Sequence, residues 1–494
     1  MSNSILTFDE ILNKKIGFGK YQYLSFIILG LVDLTDGVEL LTMSVLMSIL
    51  KNQWNISDFK IELMTSLFYL GMFLGAIITG KIADKYGRRL TIIVASFLQF
   101  LTSLSFAYIN SPSQLMILRF IYGFCYGFSL PLTISTIAEI TPLKYRGKMI
   151  ICVNFCVTLG KLYGLFIIYL TLEDFRNGNW RKMMTISAIS SFFVCIGILI
   201  FLKESPRYLI ATGQINECVQ VLDYIGEINN PLNYTKINDR ETKDLLFYHK
   251  KIFDLNDRSN HHALFSNDLI GTTLRLWMIW FSLIFIEFGQ YAILPFIFGG
   301  NKLGFASYIY TIMGELPSIF FSFYFIDKIN YGRKNTLSIC LIALGVLNFL
   351  IFIFPIYYMG VLLGIQRFFM KSSFNMLIPL STEVYPTLYR TIGYGWASAS
   401  GRCAAFIAPF VLFYLFRIGN LLPFFAFALI SFLGFFASNS IKIETSSLNL
   451  DEKQISLINN ENYIENDLEN NKVKKIKVYE NRNQDKELDD FNRK

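Results

Sequence analysis

Charged residues are scarce in this sequence of 494 residues. They make up 17% of the chain, whereas apolar residues make up 53% and include 48 Phe. A soluble globular protein carries about 25% charged residues, and about 45 to 50% of its residues are apolar. Because one water-soluble core does not absorb the apolar excess, we expect much of it to face lipid.

Residues that bind metals, form disulfides or hold nucleotides are also few. The three His include the neighbouring pair His261 and His262, which has no Cys or acidic partner at ligand spacing, so a solvated loop is the better interpretation. Six of the seven Cys fall inside apolar stretches, which excludes an extracellular disulfide framework. The sequence has no G-x-x-x-x-G-K-[ST] loop and no other enzyme motif. We therefore expect no enzyme activity, no cofactor, no metal and no ATP-driven step.

The N-terminal residues and the positions of the basic residues indicate how the chain is oriented in the membrane. The first 22 residues are polar, include Lys14 and Lys15, and lack the short apolar core and cleavage site of a signal peptide. The net charge of +8 would be compatible with a protein that binds nucleic acid. However, the basic residues concentrate in particular loops, and a cytoplasmic N-terminus gives the cytoplasmic turns the larger share of them. We expect no nucleic-acid partner and two cytoplasmic termini.

Apolar stretches of about 17 to 25 residues, each long enough to cross a bilayer, recur along the chain. The predicted spans are 24–50, 62–82, 90–109, 115–137, 149–172, 184–202, 274–298, 305–327, 336–355, 357–382, 391–415 and 419–438. Because a lipid-exposed backbone must satisfy its own hydrogen bonds, every span is predicted to be helical. The fold class is therefore all-α, with twelve transmembrane helices.

Polar stretches divide these spans six and six. We predict a cytoplasmic N-terminus (1–23), an N-terminal six-helix bundle (24–202), a cytoplasmic linker (203–273), a C-terminal six-helix bundle (274–438) and a tail (439–494). The tail is rich in Asn, Lys, Glu and Asp and poor in aromatics, which predicts disorder.

The two halves repeat each other in their turns. GKIADKYGRR follows span 2 and DKINYGRK follows span 8, while AEITPLKYRGK follows span 4 and TEVYPTLYR follows span 10. Parallel repeats of this kind are typical of one large transporter architecture, with two pseudo-symmetric bundles. We predict a cytoplasmic charge network that rearranges as the bundles move; the alternative is that the charges only fix topology. Its predicted members are Gly80, Asp84, Gly87, Arg88, Glu139, Arg146, Glu204, Arg207, Asp327, Gly332, Arg333, Glu383 and Arg390.

These motifs resemble the major facilitator superfamily (MFS) over roughly residues 14 to 438. GKIADKYGRR is similar to the hallmark motif between helices 2 and 3. KESPRYLIATG (Lys203 to Gly213) resembles a signature of sugar porters, organic-ion transporters and the synaptic-vesicle-protein-related (SVOP-like) group. TEVYPTLYRTIGYGWASASGRCAAFIAPF (Thr382 to Phe410) is most similar to the SVOP-like and nicotinate-transporter-like branch. The resemblance implies transport of a small organic solute by alternating access.

Charged residues inside the spans mark the predicted solute path, since each costs about 2.5 to 3.5 kcal/mol to insert. Asp33, Asp36 and Glu39 share one face of span 1, which we expect to line the cavity between the bundles. The resemblance to proton-coupled sugar porters pairs Asp36 with Arg119 and implies proton coupling. A constitutive structural pair is the alternative.

Arg402, in the middle of span 11, is the predicted substrate anchor. A guanidinium offers a bidentate fork to a carboxylate, and the organic-ion family is expected to carry Arg here in its anion carriers. The alternative is that Arg402 neutralises Glu287 or Glu315. The predicted substrate-binding residues are Arg402, Glu39, Trp396, Glu287 and Lys371.

The sequence thus favours a monomeric secondary carrier of a small organic anion, coupled to protons, in the lipid bilayer of the plasma membrane or of an intracellular vesicle. A sugar or polyol porter is an alternative supported by the Glu204-Ser205-Pro206-Arg207 run, although IEFGQYAI in span 7 differs from the Gln-rich segment of sugar porters. A non-transporting sensor or vesicle scaffold is a third hypothesis.

Overall fold

Helices make up most of the described chain. The computed structural model describes residues 8–172, 178–232, 234–256, 264–265, 269–298, 302–326, 332–354, 358–385 and 390–441. The paired His261 and His262 and residues 442–494 of the predicted tail lie outside this part.

The first half consists of a short helix and six long ones. The helix α1 (Phe8–Ile11) continues as a π-helical turn (Leu12–Ile16). It is followed by α2 (Lys20–Gln53), α3 (Asp58–Tyr86), α4 (Arg88–Phe106), α5 (Pro112–Ile140), α6 (Leu143–Thr171) and α7 (Trp180–Phe201).

The segment between the halves is helical as well, in α8 (Pro206–Ala211), α9 (Ile215–Asn229) and α10 (Asp239–Asn256). In α9 the apolar residues Cys218, Leu222 and Ile225 recur at helical spacing and are buried. They belong to the same apolar cluster as Phe8 and Leu12, so the N-terminal segment packs against the linker. Burial raises the pKa of the Cys218 thiol to about 12.

The second half contains α11 (Ile270–Phe298), α12 (Lys302–Met313), α13 (Ser318–Phe325), α14 (Gly332–Ile353), α15 (Met359–Glu383), α16 (Arg390–Ile418) and α17 (Leu422–Asn439). A helix covers each of the twelve predicted spans, with one exception: span 8 is broken into α12 and α13 at residues 314–317. Of the helices described, nine are individually long and apolar enough to cross a membrane. The other predicted spans coincide with α2, with the α12 and α13 pair, and with α15.

The helices pack in the same order in both halves. In the first half α2 packs on α6, α3 on α5 and α4 on α7; in the second, α11 packs on α16, α12 and α13 on α15, and α14 on α17. These are the same three pairings between equivalent spans, as a parallel repeat requires. The two bundles meet along α2 with α11, α3 with α16, and α6 with α12 and α13.

Candidate functional site

A buried charge contact between the bundles joins Lys161 of α6 to Glu315. The Lys161 Nζ lies 3.0 Å from both Oε1 and Oε2 of Glu315. Both side chains are buried, with Lys161 at 0% and Glu315 at 2% exposure. Since Lys161 belongs to the first bundle and Glu315 to the second, this ion pair crosses the interface between them.

Three further groups surround the Glu315 carboxylate, and together with Lys161 they form what we call the carboxylate cradle. Thr158 donates to Oε2 at 2.7 Å, and the Tyr291 hydroxyl lies 3.4 Å from Oε1. Arg367 Nη1 lies 3.7 Å from Oε1 and donates to the Tyr291 hydroxyl at 3.0 Å. The cradle therefore draws Thr158 and Lys161 from one bundle and Tyr291 and Arg367 from the other.

A break in the eighth span places Glu315 at this interface. The turn Gly314-Glu315-Leu316-Pro317 separates α12 from α13. Pro317 has no N–H to continue the helix, and a Cβ on Gly314 would lie 1.9 Å from the Gly364 carbonyl oxygen of α15. This close approach brings the turn against α15, which carries Arg367 one turn after Gly364. Broken membrane helices commonly present such groups at solute sites.

The predicted residues Glu287 and Lys371 lie beside the cradle. Glu287 Oε1 is 3.7 Å from the Lys161 Nζ. Lys371 Nζ donates to the Asn154 carbonyl at 3.1 Å and to its Oδ1 at 3.0 Å, another contact between α15 and α6. Asn154 in turn donates to Asn375 at 3.1 Å. The structure brings both predicted residues to the bundle interface.

The predicted anchor Arg402 remains without an acidic partner. It is 7% exposed, and its Nη1 donates to Ser398 Oγ at 2.6 Å. No ion pair involving Arg402 occurs among the described residues, and Glu287 and Glu315 face Lys161 instead. The alternative of internal neutralisation by these two acids is therefore not observed. Trp396, by contrast, is 45% exposed and stacks on Trp277 rather than lining the site.

The three acids of α2 are buried but are held by neutral donors. The Thr133 hydroxyl donates to Asp33 Oδ1 at 2.8 Å, and the Gln99 amide donates to Asp36 Oδ1 at 2.9 Å. The Ser103 hydroxyl donates to Glu39 Oε1. These donors lie on α4 and α5, inside the first bundle. The structure does not form the expected pair of Asp36 with Arg119, because the Asp36 carboxylate is turned toward α4.

Arg119 instead lies near Glu39. Its Nε donates to the Met64 carbonyl at 3.3 Å, and its guanidinium stacks 5.3 Å from the Phe68 ring centre. Glu39 and Arg119 line a narrow cavity together with Phe68, Tyr69, Tyr122 and Tyr291. Glu39 thus lines a cavity as expected, at a bundle interface that Tyr291 closes from the other side.

The turn after Gly87 holds the first-half charge network, on what we call the turn face. Gly87 has a φ of 93°, and a Cβ there would lie 2.3 Å from Glu204 Oε2. Glu204 Oε1 accepts from the backbone N–H groups of Arg88 and Arg89 at 2.9 and 3.2 Å, which caps the start of α4. Arg88 contacts Asp84 at 2.7 Å and Glu139 at 3.5 Å. Gly80 lies one turn before Asp84 on α3 with open space beside it.

Asp9 of the N-terminal helix joins this network, which the sequence does not predict. Arg146 Nη2 donates to Asp9 Oδ1 at 3.1 Å, and Arg207 binds the same oxygen. The polar character of the N-terminal segment does not predict this contact. The one sequence feature that could have indicated it is the helical spacing of the apolar residues Phe8 and Leu12 around Asp9.

The matching network of the second half is described only in part. Gly332 has a φ of 62°, and Arg333 Nε donates to the Ile326 carbonyl at 3.5 Å. Asp327 and the side chains of Glu383 and Arg390 lie outside the described residues.

The opposite face of the molecule, which we call the Asp58 face, has an ion-pair cluster that joins the bundles. Arg417 of α16 binds Glu62 and approaches Asp58 Oδ2 to 3.4 Å. Lys51 lies 2.6 Å from Asp58 Oδ1. Sequence reasoning missed this cluster because Lys51 and Arg417 look like ordinary loop charges.

Comparison with known proteins identifies the fold and the family. The family model described as "Sugar (and other) transporter" matches residues 43–456. The chain is 26% identical to the synaptic vesicle 2-related protein of Pongo abelii, covering 88% of this chain and 81% of that protein. It is 25% identical to the niacin transporter NiaP of Acinetobacter baylyi, and the match covers 81% of this chain and 88% of that protein.

A solved structure shows the same fold. The chain superposes on the MFS proton:xylose symporter XylE with a TM-score of 0.67 and 17% identity, covering 86% of this chain and 96% of that one. The resemblance drawn from the turn motifs is confirmed. The chain therefore belongs to the sugar (and other) transporter family of the major facilitator superfamily and is a multi-pass membrane transporter of small organic solutes.

Proposed function

We propose that this chain carries a small organic anion by alternating access, together with a proton. The observation that carries the proposal is Arg402, a cation at 7% exposure with no acidic partner in the described structure. A buried charge without a counter-ion is costly. A substrate carboxylate would supply the counter-ion through two parallel hydrogen bonds to the guanidinium.

The balance of charge at the bundle interface supports an anionic cargo. Lys161, Arg367, Lys371 and Arg402 are all buried there. They outnumber the three acids facing them, which are Glu287, Glu315 and, beside Lys371, Asp33. One relative is named a niacin transporter, and niacin is a small carboxylic acid. Another protein of the same fold is named a proton symporter, which is consistent with proton coupling here. We further propose a monomer with both termini in the cytoplasm.

Uptake into proteoliposomes tests the anion proposal. We expect labelled nicotinate to enter faster under an inward proton gradient and to be displaced by other small carboxylates. Arg402→Gln should reduce uptake at least tenfold, since a hydrogen bond to a charged group contributes about 1.5 to 3 kcal/mol. Uptake by Arg402→Lys should lie between that of the wild type and that of Arg402→Gln, because an ammonium keeps the charge but cannot form the bidentate fork.

The matched control is Arg181→Gln, which removes an exposed arginine from the start of α7. Uptake by this variant should equal that of the wild type. Displacement of the label by hexoses but not by carboxylates would instead favour the sugar or polyol porter. No flux of any solute, with the protein folded, would favour the sensor or scaffold.

A further inference from the structure

The carboxylate cradle is a ready-made anion site that the chain's own Glu315 occupies. Lys161 reaches both oxygens at 3.0 Å, Thr158 donates to Oε2 at 2.7 Å, and Arg367 and Tyr291 lie beside Oε1. The same groups suit a substrate carboxylate, because hydrogen bonds from cationic donors to a carboxylate are short and strong.

The cradle also has donors that Glu315 does not use. Arg367 is 1% exposed, and its Nε and Nη2 have no hydrogen-bond partner. A guanidinium has five N–H donors, so Arg367 can bind a second acceptor beyond the Tyr291 hydroxyl. Nη2 and Nε are therefore donors that a bound carboxylate could use.

The location of Glu315 allows it to leave the cradle. It lies in the turn between α12 and α13, where its N–H donates to the Ile312 carbonyl and its own carbonyl accepts from Ser318, so only its side chain has to move. Its contacts to Lys161 and Thr158 cross the bundle interface. When the bundles move apart, Glu315 loses those two partners and keeps only those of its own bundle.

We propose that Glu315 is the proton-coupling residue, and that its protonation frees Lys161 and Arg367 to receive, from Arg402, the carboxylate of a small monocarboxylate substrate. This inference rests on the proposed function and names the residue that links its two cargoes. In the empty carrier the ionised Glu315 fills the cradle. In the loaded carrier Glu315 carries the proton and the substrate carboxylate takes its place.

Charge conservation makes the coupling tight. A proton on Glu315 removes one negative charge from the cradle, and the substrate carboxylate restores it. The empty and the fully loaded carrier therefore bury the same net charge, and both can change conformation. Substrate alone or proton alone would leave one unbalanced charge in a dry site, which is strongly unfavourable.

Other charged groups face Glu315 from each helix packed against its turn. They are Lys161 from α6, Glu287 and Tyr291 from α11, and Arg367 and Lys371 from α15. Glu287 lies 3.7 Å from Lys161, so Lys161 retains an acidic neighbour when Glu315 is protonated.

Uptake of labelled nicotinate into proteoliposomes tests the assignment, with wild type and Glu315→Gln compared. The wild type should respond to an inward proton gradient but not to a potassium diffusion potential, because a proton and an anion together carry no charge. The Gln variant mimics a protonated Glu315. It should still exchange labelled for unlabelled nicotinate, because the loaded variant buries a balanced charge. It should lose net uptake and the response to the proton gradient, because the empty variant buries an unbalanced charge and does not return.

The matched control is Glu62→Gln, which removes another buried carboxylate that an arginine binds across the bundles and that makes no described contact with the cradle. It should keep the response of the wild type to the proton gradient. Gradient acceleration that survives in Glu315→Gln overturns the inference, and so does wild-type uptake driven by the diffusion potential alone. The second result is obtained with the wild type, so it does not depend on whether a variant folds. Absence of wild-type nicotinate uptake would instead count against the proposed function itself.

Discussion

The buried acids of α2 and the buried acid at the α12 break are held in opposite ways. Asp36 and Glu39 accept from an amide and a hydroxyl of α4, in their own bundle. Glu315 is bound by Lys161 from the other bundle and approached by Arg367 from its own. Helices of one bundle move together, so the contacts of the α2 acids persist through transport. The contacts of Glu315 with Lys161 and Thr158 cross the bundles and do not persist.

The two sets also differ in how completely they are satisfied. Asp36 Oδ2 and Glu39 Oε2 have no hydrogen-bond partner in the described structure, whereas both oxygens of Glu315 have one. A charge inside a membrane is therefore not enough to identify a coupling residue. The residue must also have partners that change when the bundles move.

The largest expected effect is that of Lys161→Met. Removing one partner of a buried ion pair leaves the other charge uncompensated, which typically costs about 3 to 5 kcal/mol. We expect a marked loss of thermal stability in detergent and no measurable nicotinate uptake. Unfolding temperature and uptake are the measurements.

The double variant Lys161→Met with Glu315→Gln is the control for this interpretation. With both charges removed, most of the lost stability should return, because no buried charge is left without a partner. If the two substitutions instead destabilise additively, Lys161 and Glu315 do not act as a pair.

The positions of the helices were predictable from hydropathy, because a span needs only length and apolar character. The described structure has a helix on every predicted span, with ends shifted by a few residues. Only the break at Gly314 to Pro317 was missed, although a Gly, an acid and a Pro within four residues is a recognisable signal for a broken membrane helix.

Charge pairing could not be predicted, because it depends on the rotation of each helix. Successive residues of a helix point about 100° apart, so a small rotation decides whether Asp36 faces Arg119 or Gln99. The same applies to Glu315, for which the sequence suggested Arg402 as a partner, whereas the structure supplies Lys161. The packing of Phe8 against the linker likewise depends on tertiary contacts between segments far apart in sequence.

A smaller effect is expected for Asp36→Asn. The amide keeps an oxygen to accept from Gln99, so stability should change by about 1 kcal/mol. Uptake should remain accelerated by a proton gradient, since Asp36 contacts only its own bundle. Initial rates with and without the gradient measure this, and Asp33→Asn, held by Thr133, is the matched variant.

The opposite result would reverse the comparison between the two sets of acids. If Asp36→Asn abolishes gradient acceleration while Glu315→Gln keeps it, proton coupling belongs to α2, as the resemblance to sugar porters implies. Arg119 would then have to approach Asp36 in another conformation.

The smallest effect on stability is expected for Arg417→Gln on the Asp58 face. Arg417 also crosses the bundles and binds Glu62, whose side chain is 7% exposed, but its own side chain is 46% exposed, so water can replace much of its contact with Asp58 and Glu62. Ion pairs exposed in this way contribute about 0 to 1 kcal/mol. Stability should therefore hardly change. The bundles should nevertheless separate more often at the Asp58 face, because Arg417 joins α16 to Asp58 and Glu62. To measure this opening, a cysteine is placed at Thr65, a buried residue of the cavity beneath the cluster. It should react with a polar thiol reagent up to about fivefold faster, because a change of about 1 kcal/mol alters an equilibrium about fivefold.

The control is Lys60→Gln, which removes an exposed charge near the start of α3 and should not alter that rate. High salt should reproduce the effect of Arg417→Gln, since ions screen exposed pairs far more than the buried contact of Lys161 with Glu315. Equal reaction rates in Arg417→Gln and the wild type would show that this cluster does not hold the Asp58 face closed.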